Sequence, residues 1–187
     1  MKMISHATTV DEDGKILGVF NNASLDVIEA NNHGSIVFDT PQQKTDYWDF
    51  SLCLFVSIGI QPSPHHIFDY HTKQWTDPRT LDEIKAQKWS EIKAMRNQLE
   101  FGGFEFEGNT YDSDQVSQGR IMGASSSGVD QTWTLADNTT FELSASQLQQ
   151  LYAVLQAHIA SVHERGRIAR QLIFEAETKE QVEAVQL

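Results

Sequence analysis

The sequence predicts an α+β protein: a small β-rich N-terminal module over 1–78, then an α+β domain over 79–187 that ends in a long helix and a short helix. Three observations predict it. In the front, apolar residues come in short runs separated by turn signals. Behind residue 80, two long segments repeat them at helical spacing. Between the two regions stands Asp77-Pro78-Arg79, followed at once by a helix-start signal.

The front elements follow in order. Met1–Asp13 reads as a polar lead-in. After the turn D-E-D-G come a strand at Ile16–Phe20, the polar loop Asn21–Ser24 and the segment Leu25–Ala30. Ser35–Asp39 follows N-N-H-G and reads as a second strand, closed by Thr40-Pro41. Phe50–Ile60 reads as a buried strand, and period alone leaves a short core helix open. Ile67–Tyr70 and Gln74-Trp75 flank His71-Thr72-Lys73 as a small hairpin.

In the back domain, Thr80-Leu81-Asp82-Glu83 is a capping box, in which the threonine hydroxyl and the glutamate satisfy free amides at a helix start. The helix runs to about Phe101 with Leu81, Ile84, Ile92, Met95 and Leu99 on one face, and Gly102-Gly103 stops it. Phe104–Glu107, Gly108-Asn109 and Thr110-Tyr111 form a tight hairpin with Phe104 and Phe106 on one face. Ser113–Ile121 reads as a short helix and Gly123–Asp130 as a flexible loop. Thr132–Leu135 and Thr139–Leu143 make a second hairpin around Asp137-Asn138. A second capping box, Ser144-Ala145-Ser146-Gln147, opens the last long helix, and Thr178–Gln181 opens a short one.

The long helix carries Leu148, Leu151, Leu155, Ile159 and Val162 on one stripe, continuing through Gly166 and Ala169 to Ile173. Unbroken, it is on the order of 45–50 Å long at a rise of ~1.5 Å per residue. That exceeds what so small a domain is expected to cover. Either Gly166 bends it, or part of the stripe packs on another chain. The aromatics Phe104, Phe106 and Trp133 carry a similar choice between a compact core and anchors for a partner. These three and the five stripe residues are the candidate partner-interface residues.

Composition narrows the function. With 40% hydrophobic and 21% charged residues the chain can bury a core. A net charge of -12 opposes binding to nucleic acid or an anionic membrane, whose phosphates it repels. The longest apolar run, at Phe50–Ile60, falls short of the ~20 residues of a membrane helix. Met1–Asp13 has no apolar stretch of the secretory kind. The single cysteine, Cys53, sits in that apolar run and reads as a buried small hydrophobe.

Catalytic and metal patterns are weak. Asp112 and Asp114 with Glu105 and Glu107 lack the spacing and glycine of a calcium loop, and Asp112 or Ser113 reads as a helix cap instead. His158 and His163 are set five apart on a helix, so they do not share a face as zinc ligands do. Ser125–Ser127 lack a nucleophile elbow. The expectation is a non-enzyme with no cofactor and no metal.

An ordered set of residues resembles a known family. It comprises Trp89, Ile92, Lys93 and Arg96; Gly103-Phe104, Gly108 and Tyr111–Asp114; Ser117, Arg120-Ile121 and Gly123; Trp133 and Ala136–Asn138; and Leu148, Leu151, His158 and His163. Over roughly residues 80–187 the chain resembles a domain of unassigned function found in tail proteins of bacteriophages and prophages, often encoded near the tail fibre. Gly119 departs from a usually bulkier position. D-G-K-I-L-G and I-F-D-Y-H-T-K-Q-W-T-D-P resemble the β-rich modules that precede this domain. The resemblance implies a tail-fibre-associated structural subunit of the virion that binds the tail fibre or other tail proteins. The alternatives are a tail-fibre assembly chaperone absent from the mature particle, and an envelope-glycan hydrolase. It places the protein in the virion tail, or in the host cytoplasm during assembly, and a homo-oligomer is among its candidate states.

Overall fold

The structure is a computed structural model that describes residues 3–31 and 33–187. The protein is α+β, with strands in front and helices behind. It separates into two compact units, Met1–Arg79 and Thr80–Leu187.

The front unit is built on a three-stranded antiparallel sheet. Strands β1 (Met3–Val10), β2 (Ile16–Ser24) and β3 (Ser35–Val37) lie in the order β2-β1-β3, with helix α1 (Leu25–Asn31) between β2 and β3 in the chain. The β1–β2 turn is held by Asp11, whose carboxylate accepts the amides of Asp13 and Lys15 at 3.0 and 2.8 Å. Gly14 closes it at φ 79°, and a Cβ there would stand 2.0 Å from the Trp48 carbonyl oxygen, so only glycine fits. The same approach lets the Trp48 amide donate to the Gly14 carbonyl at 2.8 Å.

Two expectations for this stretch fail. Met3–Val10 is not a lead-in but the central strand, paired on both sides with β2 and β3, which buries Thr8 and Thr9 despite their hydroxyls. The Thr8 hydroxyl is satisfied by donating to the Asp39 carbonyl at 2.7 Å. Asn21–Ser24 is likewise not a loop but the end of β2, paired back to Met3 and Ile4.

Two small hairpins complete the unit: β4 (Tyr47–Asp49) with β5 (Leu54–Val56), and β6 (Ile67–Asp69) with β7 (Gln74–Thr76). They are copies offset by 20 residues. In each, an aspartate ends the first strand and accepts the next amides: Asp49 from Ser51 and Leu52, Asp69 from His71 and Thr72. In each, a left-handed residue closes the turn, Cys53 at φ 54° and Lys73 at φ 60°. An edge-to-face aromatic pair crosses each hairpin, Trp48–Phe55 and Phe68–Trp75, and Tyr47 stacks on Phe68 between them.

Phe50–Ile60 is therefore not one buried strand. The Asp49 turn bends it back, leaving Phe50, Leu52, Leu54 and Ile60 exposed. Cys53 is exposed as well, since its turn position points it away from any core.

The back unit opens with α2 (Leu81–Phe101), capped by the Thr80/Glu83 box. Hairpin β8 (Phe104–Phe106) and β9 (Asn109–Tyr111) turns through Glu107 and Gly108, both at positive φ. Helix α3 (Gln115–Ser127) follows, then hairpin β10 (Gln131–Thr134) and β11 (Thr140–Leu143), then α4 (Ala145–Glu175) and α5 (Lys179–Glu183).

Helix α3 outruns the expected Ser113–Ile121 and absorbs the first part of the supposed loop. The hydroxyls of Ser125 and Ser127 donate back to the carbonyls of Met122 and Ala124, which lets serines sit in a helix, and Gly128 at φ 70° ends it. Its N-cap is Asp114, not Asp112 or Ser113. Ser113 instead serves the end of α2, donating to the Glu100 carbonyl at 2.6 Å and accepting the Gly103 amide at 2.9 Å.

Helix α4 is uninterrupted through Gly166 and belongs to two apolar clusters. Its first half packs with the β8–β9 and β10–β11 hairpins and α3, and its second half with α2 and α5. Gly166 lies where a Cβ would come 3.2 Å from Arg96 Cδ, so the glycine lets α2 approach closely. Two histidines fasten α4 to the end of α2: His158 Nε2 lies 3.0 Å from the Leu99 carbonyl and His163 Nε2 3.0 Å from the Glu100 carboxylate.

Candidate functional site

The candidate partner-interface residues lie in the domain's own core. Leu148, Leu151, Leu155 and Val162 are fully buried, and Phe104 and Phe106 nearly so. Ile159 and Trp133 are partly buried against the same cluster. The stripe on α4 is covered because two separate sets of neighbours share its length: hairpins and α3 over one half, α2 and the returning α5 over the other. No other chain is needed to shelter it, and the expectation of an exposed seam is corrected.

What the back unit does leave open is a recess of about 570 Å³ beside α3. One wall is α3, through Ser117, Arg120, Gly123 and Ala124. These fall at helical spacing along one flank, next to the inward row that carries Ile121 into the core. The other wall is β10 with Leu135 just after it, and Gln131 to Leu135 border the recess without a gap. Asp112, after β9, and Asn138, in the β10–β11 turn at φ 65°, stand at its rim.

Local chemistry holds both walls. Asp114 caps α3 by accepting the Val116 and Ser117 amides at 2.9 and 3.2 Å and the Ser117 hydroxyl at 2.5 Å. That hydroxyl is the main reason the Asp114 carboxyl titrates below the usual aspartate range, with the amides and Arg120 adding to it. The β10–β11 turn is held by Asp137, which accepts the Thr139 hydroxyl at 2.7 Å and its amide at 2.9 Å. The hydroxyl bond, then the amide, hold the Asp137 carboxyl low. The chain beyond β10 is tied to β9 by the Ala136 amide donating to the Thr110 carbonyl at 3.1 Å. Beneath lies Tyr111, fully buried, its phenol pushed up mainly by burial and also by the Glu107 charge.

The recess carries uncommitted polar groups. Among the described residues, Arg120 and Asp112 make no side-chain hydrogen bond or ion pair, and Arg120 is exposed. Gly123 contributes no side chain, and a Cβ built there would meet nothing within 4 Å. A guanidinium, a carboxylate and an indole border one opening, with the Ser117 and Thr132 hydroxyls and the Gln131 amide held by Asp114, Glu142 and Ser127, a set suited to recognising a polar ligand. Among the described residues no three His, Cys, Asp or Glu side chains gather as metal ligands. No helix among them is long and apolar enough to cross a membrane.

Residues 83–186 match a family described as a domain of unknown function, DUF4376. The chain belongs to the DUF4376 family. Comparison with curated proteins and with solved structures found no match. Within the DUF4376 domain the recess collects residues that single-residue reading kept apart, and Arg120 and Gln131 were not among the candidates at all. The reading of 123–130 as a loop hid one wall of the groove. The available signal was the pair of glycines, Gly119 and Gly123, one turn apart in an otherwise helical stretch.

Proposed function

We propose that this protein is a bacteriophage tail protein, carried in the virion, whose DUF4376 domain binds the tail fibre or a neighbouring tail protein through the recess between α3 and β10. It acts by docking rather than by catalysis. One observation carries the reading. Six of the residues that give the sequence its likeness to phage tail domains, Asp112, Ser117, Arg120, Gly123, Trp133 and Asn138, sit on different elements between 112 and 138 yet border this one recess. Motif residues kept for packing alone would be expected in the core, whereas Arg120 and Asp112 are exposed and, among the described residues, form no side-chain hydrogen bond or ion pair.

The test is mass spectrometry of washed particles, joined to co-purification of the protein with its fibre. A structural subunit is present at fixed stoichiometry, and fibre capture falls when Arg120→Glu is introduced. Absence from particles, with fibre trimers forming only on co-expression, would replace the subunit by an assembly chaperone. Release of sugar from host envelope by the pure protein would replace both by a hydrolase.

A further inference from the structure

Resting on the docking reading, we infer that the recess receives an extended polypeptide segment, which adds as a strand to the free edge of β10 and sets an acidic side chain against Arg120.

The edge is the first ground. Strand β10 pairs with β11 in a two-stranded sheet, and among the described residues its other side has no strand partner. Five consecutive residues, Gln131 to Leu135, border the recess. Side chains alternate along a strand, so a face would contribute every second residue. An unbroken run means that the recess meets the strand edge-on, where its amides and carbonyls lie. Among the described residues, no backbone group outside β11 bonds to residues 131–134. Edge strands of monomers are usually guarded by charge or proline. The β10 sequence, Q-T-W-T, has neither.

The opposite wall is the second ground. Gly123 costs α3 helix propensity but keeps the space beside β10 clear. Arg120, on the same flank, is a cation without an ion-pair partner among the described residues, on a chain of net charge -12. A carboxylate on the incoming segment would complete it, and the guanidinium geometry favours a bidentate contact. Its field already reaches Asp114, but that carboxylate is engaged in capping. Asp112 at the rim disfavours a second acidic residue beside it. The four residues of β10 fix the length: an added strand of about four residues spans ~13 Å at ~3.3 Å each. Main-chain bonds supply affinity in such strand addition and side chains supply selectivity.

The probe is a displayed library of random 12-residue peptides selected on the full-length protein, followed by binding and amide hydrogen exchange with the recovered peptides. Recovered sequences are expected to be rich in Asp and Glu and poor in Pro, and to slow exchange at the β10 amides. Arg120→Glu is expected to weaken them about three- to tenfold, as for an exposed ion pair that is reversed. Gly123→Leu, which fills the recess, is expected to weaken them on the order of 100-fold, the scale of a hydrogen-bonded strand displaced by a side chain. Gly119→Leu, one turn away and off the recess, leaves binding unchanged. Proline-rich or helical binders, unchanged exchange at β10, or peptides indifferent to both Arg120→Glu and Gly123→Leu would each overturn the inference. Failure of the two readings is distinguishable. Fibre capture that survives Gly123→Leu sinks strand addition and leaves tail docking standing, whereas peptide binding by a protein found to be no tail component does the reverse.

Discussion

Leu155→Ala separates a self-contained domain from one completed by a partner chain. Leu155 is fully buried on α4 among Phe104, Tyr111, Ile121 and Leu151. Its neighbours sit on a hairpin and two helices, so the site has little freedom to collapse around the missing atoms. Removal of a buried leucine from such surroundings costs about 2–5 kcal/mol, from lost transfer energy and the cavity left behind. A domain of this size has a total stability of about 5–15 kcal/mol, so the variant retains a folded population with a much lower midpoint. At roughly 4–8 °C per kcal/mol the melting temperature should fall by at least ~8 °C. The assay is urea denaturation followed by circular dichroism at two protein concentrations a hundredfold apart. The wild type and the variant should each give the same midpoint at both, because no second chain contributes to the core. A midpoint that rises with concentration, or a variant that merely dissociates while staying folded, would refute the burial argument and restore the stripe as an interface.

Other consequences are equally measurable. Gly119→Ala and Gly123→Ala should each raise stability by about 0.5–1 kcal/mol, since both positions are helical and a Cβ meets nothing within 4 Å; a loss in thermal denaturation would contradict a continuous α3. Tyr111→Phe should raise stability by about 1 kcal/mol, because the buried hydroxyl finds no hydrogen-bond partner among the described residues; a loss above that size would show a partner. The front unit should melt lower as pH rises. His71 is held above its ordinary pKa, first by its hydrogen bond to Asp13 and then by the Asp13 charge and, less, the Asp69 charge, with desolvation and then Lys73 opposing. The stabilisation is complete below the unfolded value near 6.5 and is lost as pH climbs through the higher folded value, so Asp13→Asn should flatten the melting profile between about pH 6 and 8. At the acid end the sign reverses: Asp114, held below 3.8, contributes above that value and loses its contribution as pH falls through the lower folded one, so Asp114→Asn, which still caps, should soften acid unfolding.

Reading the residues alone succeeded where a signal was local. Both long helices begin at capping boxes, and the hydroxyl of Thr80 or Ser144 and the side chain of Glu83 or Gln147 bond as that motif requires. The turn at Asn138 likewise follows from a residue that tolerates positive φ, whereas the β8–β9 turn falls one residue earlier than Gly108-Asn109, at Glu107 and Gly108. It failed where the answer was tertiary. Thr8 and Thr9 look like surface residues until the Asp39 carbonyl satisfies one of them inside the fold. The apolar run at Phe50–Ile60 suggested a buried strand, whereas Asp49 bends it into a hairpin. The repeat was visible in principle, since Asp49 and Asp69 hold equivalent places before similar turns, but the side chains between them differ almost throughout. The groove was least legible, because Arg120 and Gln131 come to border one recess only after α3 and β10 have been packed by the core beneath them.

One helix belonging to both apolar clusters has a mechanical consequence. Helix α4 acts as a keel: the hairpins at its front and the small α5 at its back are braced against the same rigid member. Neither end can melt without loosening the other, so the back unit should come apart in a single step, and a lone proteolytic nick near Gly166 should release both halves together.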